Sequence, residues 1–153
     1  MQTMSTPSER LWARRVEWAD TAVRQEPRRA REPVTLAAAA ARVAEGTELR
    51  AAAADFLDDL RWSTDGADTL RRIAAEPPRV DAHTDAYLAA LAEHVATTND
   101  CPTPTWARQA DRFLNHFWWP SRSVGLHARA LIESPAAFRR RGIFIGRSTL
   151  IRV

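Results

Sequence analysis

Repeated helix start and stop signals divide this 153-residue chain into short amphipathic segments. Thr6-Pro7, Thr103-Pro104 and Ser134-Pro135 each place a capping hydroxyl directly before a proline, a residue favoured in the first helical turn. Gly46 and Gly142 stand where glycine commonly ends a helix. Between these signals apolar residues recur every three or four positions, and no segment alternates convincingly as a strand would. The sequence therefore predicts an all-α fold.

The apolar repeats place about six or seven short helices in a single compact domain, with residues 34–153 as the helical body. The predicted helices cover residues 34–44, 47–61, 66–76, 81–96, 106–117, 121–132 and 134–141. Residues 143–145 are the single β-like run, which is too short to build a sheet alone.

Residues 1–33 form a separate N-terminal region in this interpretation. A helix begins at Thr6, and Trp12, Val16 and Val23 lie on its apolar face. Residues 27–33 have no apolar period and indicate a charged linker. The N-terminal helix could therefore project from the body.

The composition indicates a cytoplasmic protein without a membrane segment. No run approaches the roughly 20 apolar residues of a membrane span, and the N-terminus lacks the pattern of a secretory signal. Cys101 is the single cysteine, which excludes an internal disulfide and fits a reducing compartment.

Positive charge is concentrated at the C-terminal end. All 22 basic residues are arginine, and the formal net charge is +3. Residues 112–153 carry eight arginines against Glu133 alone, a balance of +7. Such a region attracts acidic partners, whether protein or nucleic acid.

The candidate binding site lies in the same region, in two clusters. One cluster is the segment 134–146, where a short helix ends in three consecutive arginines and an apolar run follows, and the other is the aromatic segment 117–120. Tryptophan and arginine are enriched at binding hot spots. We predict that the partner-binding residues are Trp118, Trp119, Phe138, Arg139, Arg140, Arg141, Ile143 and Phe144.

No pattern of catalytic or metal-ligating residues stands out. None of the four histidines lies four residues from another, and Cys101 has no cysteine companion, so no zinc motif is present. The serines at 121, 123 and 134 stand at helix-capping positions. Asp55, Asp58 and Asp59 fit a solvated helix face. The sequence predicts a non-enzymatic protein without a cofactor or metal.

The chain resembles a group of small, mostly uncharacterised actinobacterial proteins over roughly residues 55–146. The resemblance rests on residues 85–94, 105–106, 112–114 and 117–121, and most specifically on the Ser-Pro-Ala-Ala-Phe-Arg-Arg-Arg-Gly-Ile-Phe string at 134–144. Members are often encoded beside nucleotidyltransferase-like proteins in arrangements resembling toxin–antitoxin pairs. The resemblance implies a protein partner encoded nearby, and it supplies no catalytic residues.

Three functional hypotheses remain open. The leading one is an antitoxin-like interaction module that neutralises a toxin or nucleotidyltransferase-like protein. The alternative is a nucleic-acid-binding transcriptional regulator that uses the basic C-terminal tail. A third is an enzyme whose site combines scattered residues such as Asp55, His94 and His127. The partner's identity and the oligomeric state stay open.

Overall fold

The computed structural model describes residues 32–151, and these residues form an all-α fold, as predicted. The α-helices are α1 Leu36–Ala44, α2 Leu49–Leu60, α3 Gly66–Ala74, α4 Ala82–Thr98, α5 His127–Glu133 and α6 Ala136–Arg139. Short 3₁₀ turns span Thr105–Arg108, Ala110–Arg112, Val124–Leu126 and Arg147–Thr149. The predicted N-terminal helix lies outside the described residues. No helix within residues 32–151 is both long and apolar enough to cross a membrane.

Side-chain caps fix the first residues of three helices. Thr35 Oγ1 accepts a hydrogen bond from the backbone N–H of Ala38 at the start of α1. Asp65 and Asp81 cap α3 and α4 in the same way. Each cap satisfies a backbone donor that the first helical turn leaves without a partner. These local bonds explain why the observed starts of the helices lie close to the predicted ones.

Helix α4 is the centre of the molecule. Twelve of its residues are buried, on all sides of the helix, and such a helix must be covered by other elements. Many of the twelve are alanines, whose small side chains allow neighbouring backbones to approach closely. The larger side chains of the core come from the surrounding elements, and they include Leu36, Phe56, Ile73, Phe138 and Ile143.

The predicted helix over residues 106–117 is wrong. The chain forms two 3₁₀ turns here, because Gln109 between them has extended backbone angles. The break allows Trp106 and Arg112 to enter the same interior region, where the Arg112 guanidinium lies 4.8 Å from the centre of the Trp106 ring. The indole N–H of Trp106 donates to the Ile73 carbonyl over 2.9 Å. Contacts with distant residues therefore outweigh the helix preference that the apolar spacing of this segment indicates.

The C-terminal part differs from the prediction in two further ways. Helix α5 starts at His127 rather than near residue 121, and α6 is a single turn ending at Arg139. The β-like run at 143–145 forms only an isolated parallel bridge between Trp118 and Ile143. Its hydrogen bonds run from the Trp118 N–H to the Gly142 carbonyl and from the Phe144 N–H to the Trp118 carbonyl. They join the two segments of the predicted site.

Candidate functional site

The three consecutive arginines occupy three different environments. Arg139 is exposed. Arg140 is 63% exposed and forms an ion pair with Glu93 Oε1. Arg141 is fully buried, and its Nη1 donates to Glu93 Oε2 over 2.6 Å. Arg139 is the last residue of α6, and Arg140 and Arg141 belong to the turn that follows it, so the three side chains leave the backbone in different directions.

Arg141 is a structural residue of the interior. Its Nη1 also donates to the Ala137 carbonyl and its Nη2 to the Ala107 carbonyl, over 2.8 and 2.6 Å. The guanidinium lies 4.5 Å from the centre of the Phe113 ring, a cation–π arrangement. Burial, together with the charge of Arg140, lowers the pKa of Arg141 to about 10, so the group is still charged at neutral pH. Arg141 therefore ties α6 to α4 and to the first 3₁₀ turn.

Three of the apolar residues predicted to bind a partner are also buried. Phe138 packs edge-on against Tyr87 of α4 with ring centres 5.2 Å apart, and Ile143 and Phe144 are 0% and 8% exposed. The hydroxyl of Ser134 donates to the Ile143 carbonyl and accepts from the Ile145 N–H, which folds this run back onto the body. The prediction that Phe138 and Ile143 present their side chains to a partner is therefore corrected, because these residues belong to the core, and Phe144 is also almost wholly buried.

The adjacent tryptophans, Trp118 and Trp119, are both half-buried and face different neighbours. Trp118 lies against His83 and Tyr87 of α4, with ring-centre distances of 4.5 and 6.4 Å. Trp119 lies between the rings of His127 and Phe144, at 5.2 and 5.1 Å. Two packing surfaces are used, so each tryptophan retains only part of its surface for a partner.

The largest exposed apolar side chains near this cluster were not among the predicted site residues. Helix α5 buries only Ala130. Around it the exposed apolar residues are Phe117 (71%), Val124 (77%), Leu126 (51%), Leu131 (46%) and Ile132 (82%), which we call the α5 surface. The helix predicted over residues 121–132 runs through Val124, Leu131 and Ile132. They differ from core residues only because no element within residues 32–151 covers them.

A pocket lies beside the α5 surface. Its volume is about 160 Å³, and Leu126, Arg129, Glu133 and Phe144 are among its lining residues. Phe144 also contacts the exposed ring of Phe117, with ring centres 5.4 Å apart. The pocket thus connects the aromatic segment with helix α5, and it could receive an apolar side chain from a partner.

The charges around the α5 surface are mainly positive. Residues 117–132 include Arg122 and Arg129 and no carboxylate. Glu133, at the end of α5, accepts from Arg129 Nε over 2.6 Å and from the backbone N–H of Arg147 over 3.1 Å. The hydrogen bond from Arg129 is the main reason that the pKa of Glu133 is lowered. Arg139, the last residue of α6, is a further exposed arginine of the C-terminal region.

The residues considered for a scattered enzyme site do not meet. Asp55 forms an ion pair with Arg42 over 2.8 Å, and the Nε2–H of His127 donates to the Ser121 carbonyl over 3.0 Å. His94 lies in a groove beside α2, and burial lowers its pKa. The groove that contains His94 is lined by neither Asp55 nor His127. Within residues 32–151, no three metal-ligating side chains form a cluster.

Comparison with known proteins gives no assignment, since no protein-family model, curated protein or solved structure matches this chain significantly. The α5 surface, with its apolar centre and positive margin, is the feature of the described residues from which a function can be inferred.

Proposed function

We propose that this protein is a non-enzymatic interaction module, an antitoxin-like partner that binds and neutralises a toxin or nucleotidyltransferase-like protein. The observation that supports this proposal most directly is helix α5, which exposes Leu131 and Ile132 and buries only Ala130. Contiguous exposed apolar groups on a soluble domain commonly mark interaction sites.

The chemistry of the α5 surface defines the kind of partner. The exposed apolar side chains would supply the buried centre of an interface, and the pocket of about 160 Å³ would hold one apolar anchor of the partner. Arg122 and Arg129 would form the margin, and together with exposed Arg139 they would accelerate association with a negatively charged partner. The partner surface that fits is therefore an apolar patch surrounded by carboxylates.

An acidic, nucleotide-binding cleft on the partner would be a surface of this kind, with carboxylates around an apolar patch. A basic apolar surface docked over such a cleft would prevent substrate from entering, so binding alone would neutralise the partner without any reaction. In this mechanism Arg141, Phe138 and Ile143 are interior residues that hold the surface in place, whereas Phe144 lines the pocket. It uses exposed Arg139 directly, with Trp118 and Trp119 contributing only their accessible edges.

The direct test is co-expression with the protein encoded by the neighbouring gene. We expect the two proteins to purify together and the partner's toxicity to be suppressed. The double variant Val124→Asp/Ile132→Asp should weaken binding by about 30-fold or more, because central apolar residues contribute about 2 kcal/mol or more to an interface. Isothermal titration calorimetry measures this change.

Ile151→Asp provides the matched control. Ile151 is also an exposed apolar residue, at 54%, but it lines a different groove, so its replacement should leave the affinity unchanged. If the wild-type proteins neither co-purify nor affect toxicity, the proposed function is wrong. If the double variant binds like the wild type, the α5 surface is not the docking site.

The contacts of the arginine triplet favour a protein partner over nucleic acid. Glu93 engages both Arg140 and Arg141, and Arg141 is fully buried. Of the triplet, only Arg139 forms no ion pair with a carboxylate of residues 32–151. Phosphate binding depends on several accessible cations and weakens steeply with salt. Tight, salt-dependent binding to promoter DNA would support the regulator hypothesis instead.

A further inference from the structure

Two adjoining pockets share a polar wall. The smaller is the pocket of about 160 Å³ beside the α5 surface, and the larger has a volume of about 340 Å³. The residues that line both pockets, which we call the shared wall, are Arg50, Tyr87, Ser148 and Thr149. We propose that the shared wall binds the carboxylate of an apolar acid, a compound whose carboxylate stands next to one apolar side chain, and that the smaller pocket takes the apolar group.

Tyr87 supplies the most enclosed donor of the shared wall. It is 2% exposed, and its ring packs edge-on against Phe138 and Trp118, with ring centres 5.2 and 6.4 Å away. Burial raises the pKa of Tyr87 to about 12, so the hydroxyl keeps its proton at neutral pH. Within residues 32–151 this hydroxyl has no hydrogen-bond partner. Polar groups inside a fold normally have a partner, and a bound carboxylate would supply one.

Arg50 supplies the positive charge of the shared wall. It is the second residue of α2, and its side chain is exposed. Its charge opposes the effect of burial on the pKa of Tyr87, which places the guanidinium near that hydroxyl. Arg50 forms no ion pair with a carboxylate in the described part of the chain. An arginine beside hydroxyl donors suits an anion, because charge-assisted hydrogen bonds are the strongest ones.

The charges of the smaller pocket favour a carboxylate over a phosphate. Arg129 and Glu133 both line this pocket, and they pair with each other over 2.6 Å. Arg50 is therefore the one lining cation without a carboxylate partner among residues 32–151. One cation matches the single negative charge of a carboxylate, whereas a phosphate monoester carries about −1.5 to −2 at pH 7. The hydroxyls of Ser148 and Thr149 add neutral donors.

The apolar residues of the smaller pocket define the rest of the ligand. They include Leu126, Ala130, Phe144 and Ile145, and together they would surround one apolar side chain. Glu48 lines only the larger pocket. It would pair with the ammonium group of a free amino acid, a group that the C-terminal residue of a polypeptide lacks.

The test is a titration of the full ¹⁵N-labelled chain with N-acetyl-L-leucine, followed by NMR. We expect saturable shifts of the backbone amides of Tyr87, Ser148 and Thr149, with a Kd in the millimolar range for so small a ligand. N-acetyl-L-leucinamide has the same apolar group without the charge, and it should bind at least about 10-fold more weakly.

Two variants test the donors separately. Arg50→Gln and Tyr87→Phe should each weaken binding of N-acetyl-L-leucine by about 10-fold, because each removes a hydrogen bond to a charged group. Both should keep the fold, since Arg50 is exposed and the phenyl ring retains the packing of Tyr87. Arg61→Gln is the matched control: Arg61 is also exposed but lines a different groove, so this variant should bind like the wild type.

Equal binding of the acid and the amide would overturn the inference, as would equal binding by Arg50→Gln and the wild type, or the absence of saturable shifts. Two further ligands distinguish the sources of the carboxylate, and either result supports the site. Tighter binding of free leucine indicates an amino acid, and tighter binding of an acetylated peptide that ends in leucine indicates a chain end. None of these probes needs the partner protein, so the inference can fail or hold independently of the proposed function.

Discussion

Glu93→Ala should lower the free energy of unfolding by about 3–5 kcal/mol. Glu93 is the single carboxylate that pairs with the fully buried Arg141 among the described residues, and it also engages Arg140. Its removal leaves a buried guanidinium whose charge has no counterion, and this costs far more than an ordinary truncation. Chemical denaturation followed by circular dichroism measures the difference.

The matched control for Glu93→Ala is Asp55→Ala. Asp55 also pairs with an arginine, but both side chains of that pair are substantially exposed, at 40% and 52%. Exposed pairs contribute about 1 kcal/mol or less, so this variant should remain close to the wild type. If the two variants lose the same stability, Glu93 is not compensating a buried charge.

The arginine triplet gives an independent check on the same interior cluster. Arg141→Ala removes a buried side chain and leaves the Ala107 and Ala137 carbonyls without their donor, so it should also cost about 3–5 kcal/mol. Arg139→Ala, two positions earlier and exposed, should change stability by no more than about 0.5 kcal/mol. Equal losses at positions 139 and 141 would contradict the burial of Arg141.

Gly142→Ala should lower the free energy of unfolding by about 2–5 kcal/mol, for two separate reasons. Gly142 has φ +74°, a conformation that disfavours any residue with a Cβ. A Cβ at this position would also lie 2.6 Å from the backbone carbonyl oxygen of His116, which cannot rotate away. The backbone would have to shift where the loop of His116 meets the C-terminal segment.

Alanine variants of two other glycines distinguish the effect of the positive φ from the effect of the close contact with His116. Gly46 also has positive φ, at +105°, but a Cβ there meets no atom within 4 Å, so Gly46→Ala should cost only about 1–2 kcal/mol. Gly125 has open space and no positive φ, so Gly125→Ala should be within about 0.5 kcal/mol of the wild type. Denaturation curves of the three variants give this order. If Gly142→Ala loses no more stability than Gly46→Ala, the backbone at His116 moves to make room for the added Cβ, and the close contact costs nothing.

Helices α1 to α4 could be predicted closely from the sequence because their signals are local. The caps at Thr35, Asp65 and Asp81 and the break at Gly46 act within a few residues of the helix ends that they define. The segment 106–117 could not be predicted in this way. Its apolar spacing fits a helix, but Gln109 is extended and Trp106 bonds to Ile73, 33 residues away.

The sequence predicted only part of the candidate site, because the spacing of residues along the chain does not determine which side chains are exposed. Phe138 and Ile132 are both apolar residues of short C-terminal helices, yet the first is fully buried and the second is 82% exposed. The difference is that α6 packs on α4, whereas no element in the described part of the chain covers Ile132. The proximity of His83 and His116 likewise has no signal in their spacing along the chain.

The sequence by itself determined that this protein is helical, where its first described helices begin and end, and that positive and aromatic residues collect in its C-terminal third. Those properties follow from the backbone preferences and side chains of neighbouring residues. The tertiary structure alone decided which arginine is interior, which apolar side chains are left for a partner, and which histidines meet. Each of these depends on a neighbour far away in the chain: Glu93 accepts Arg141, Tyr87 covers Phe138, and His83 faces His116.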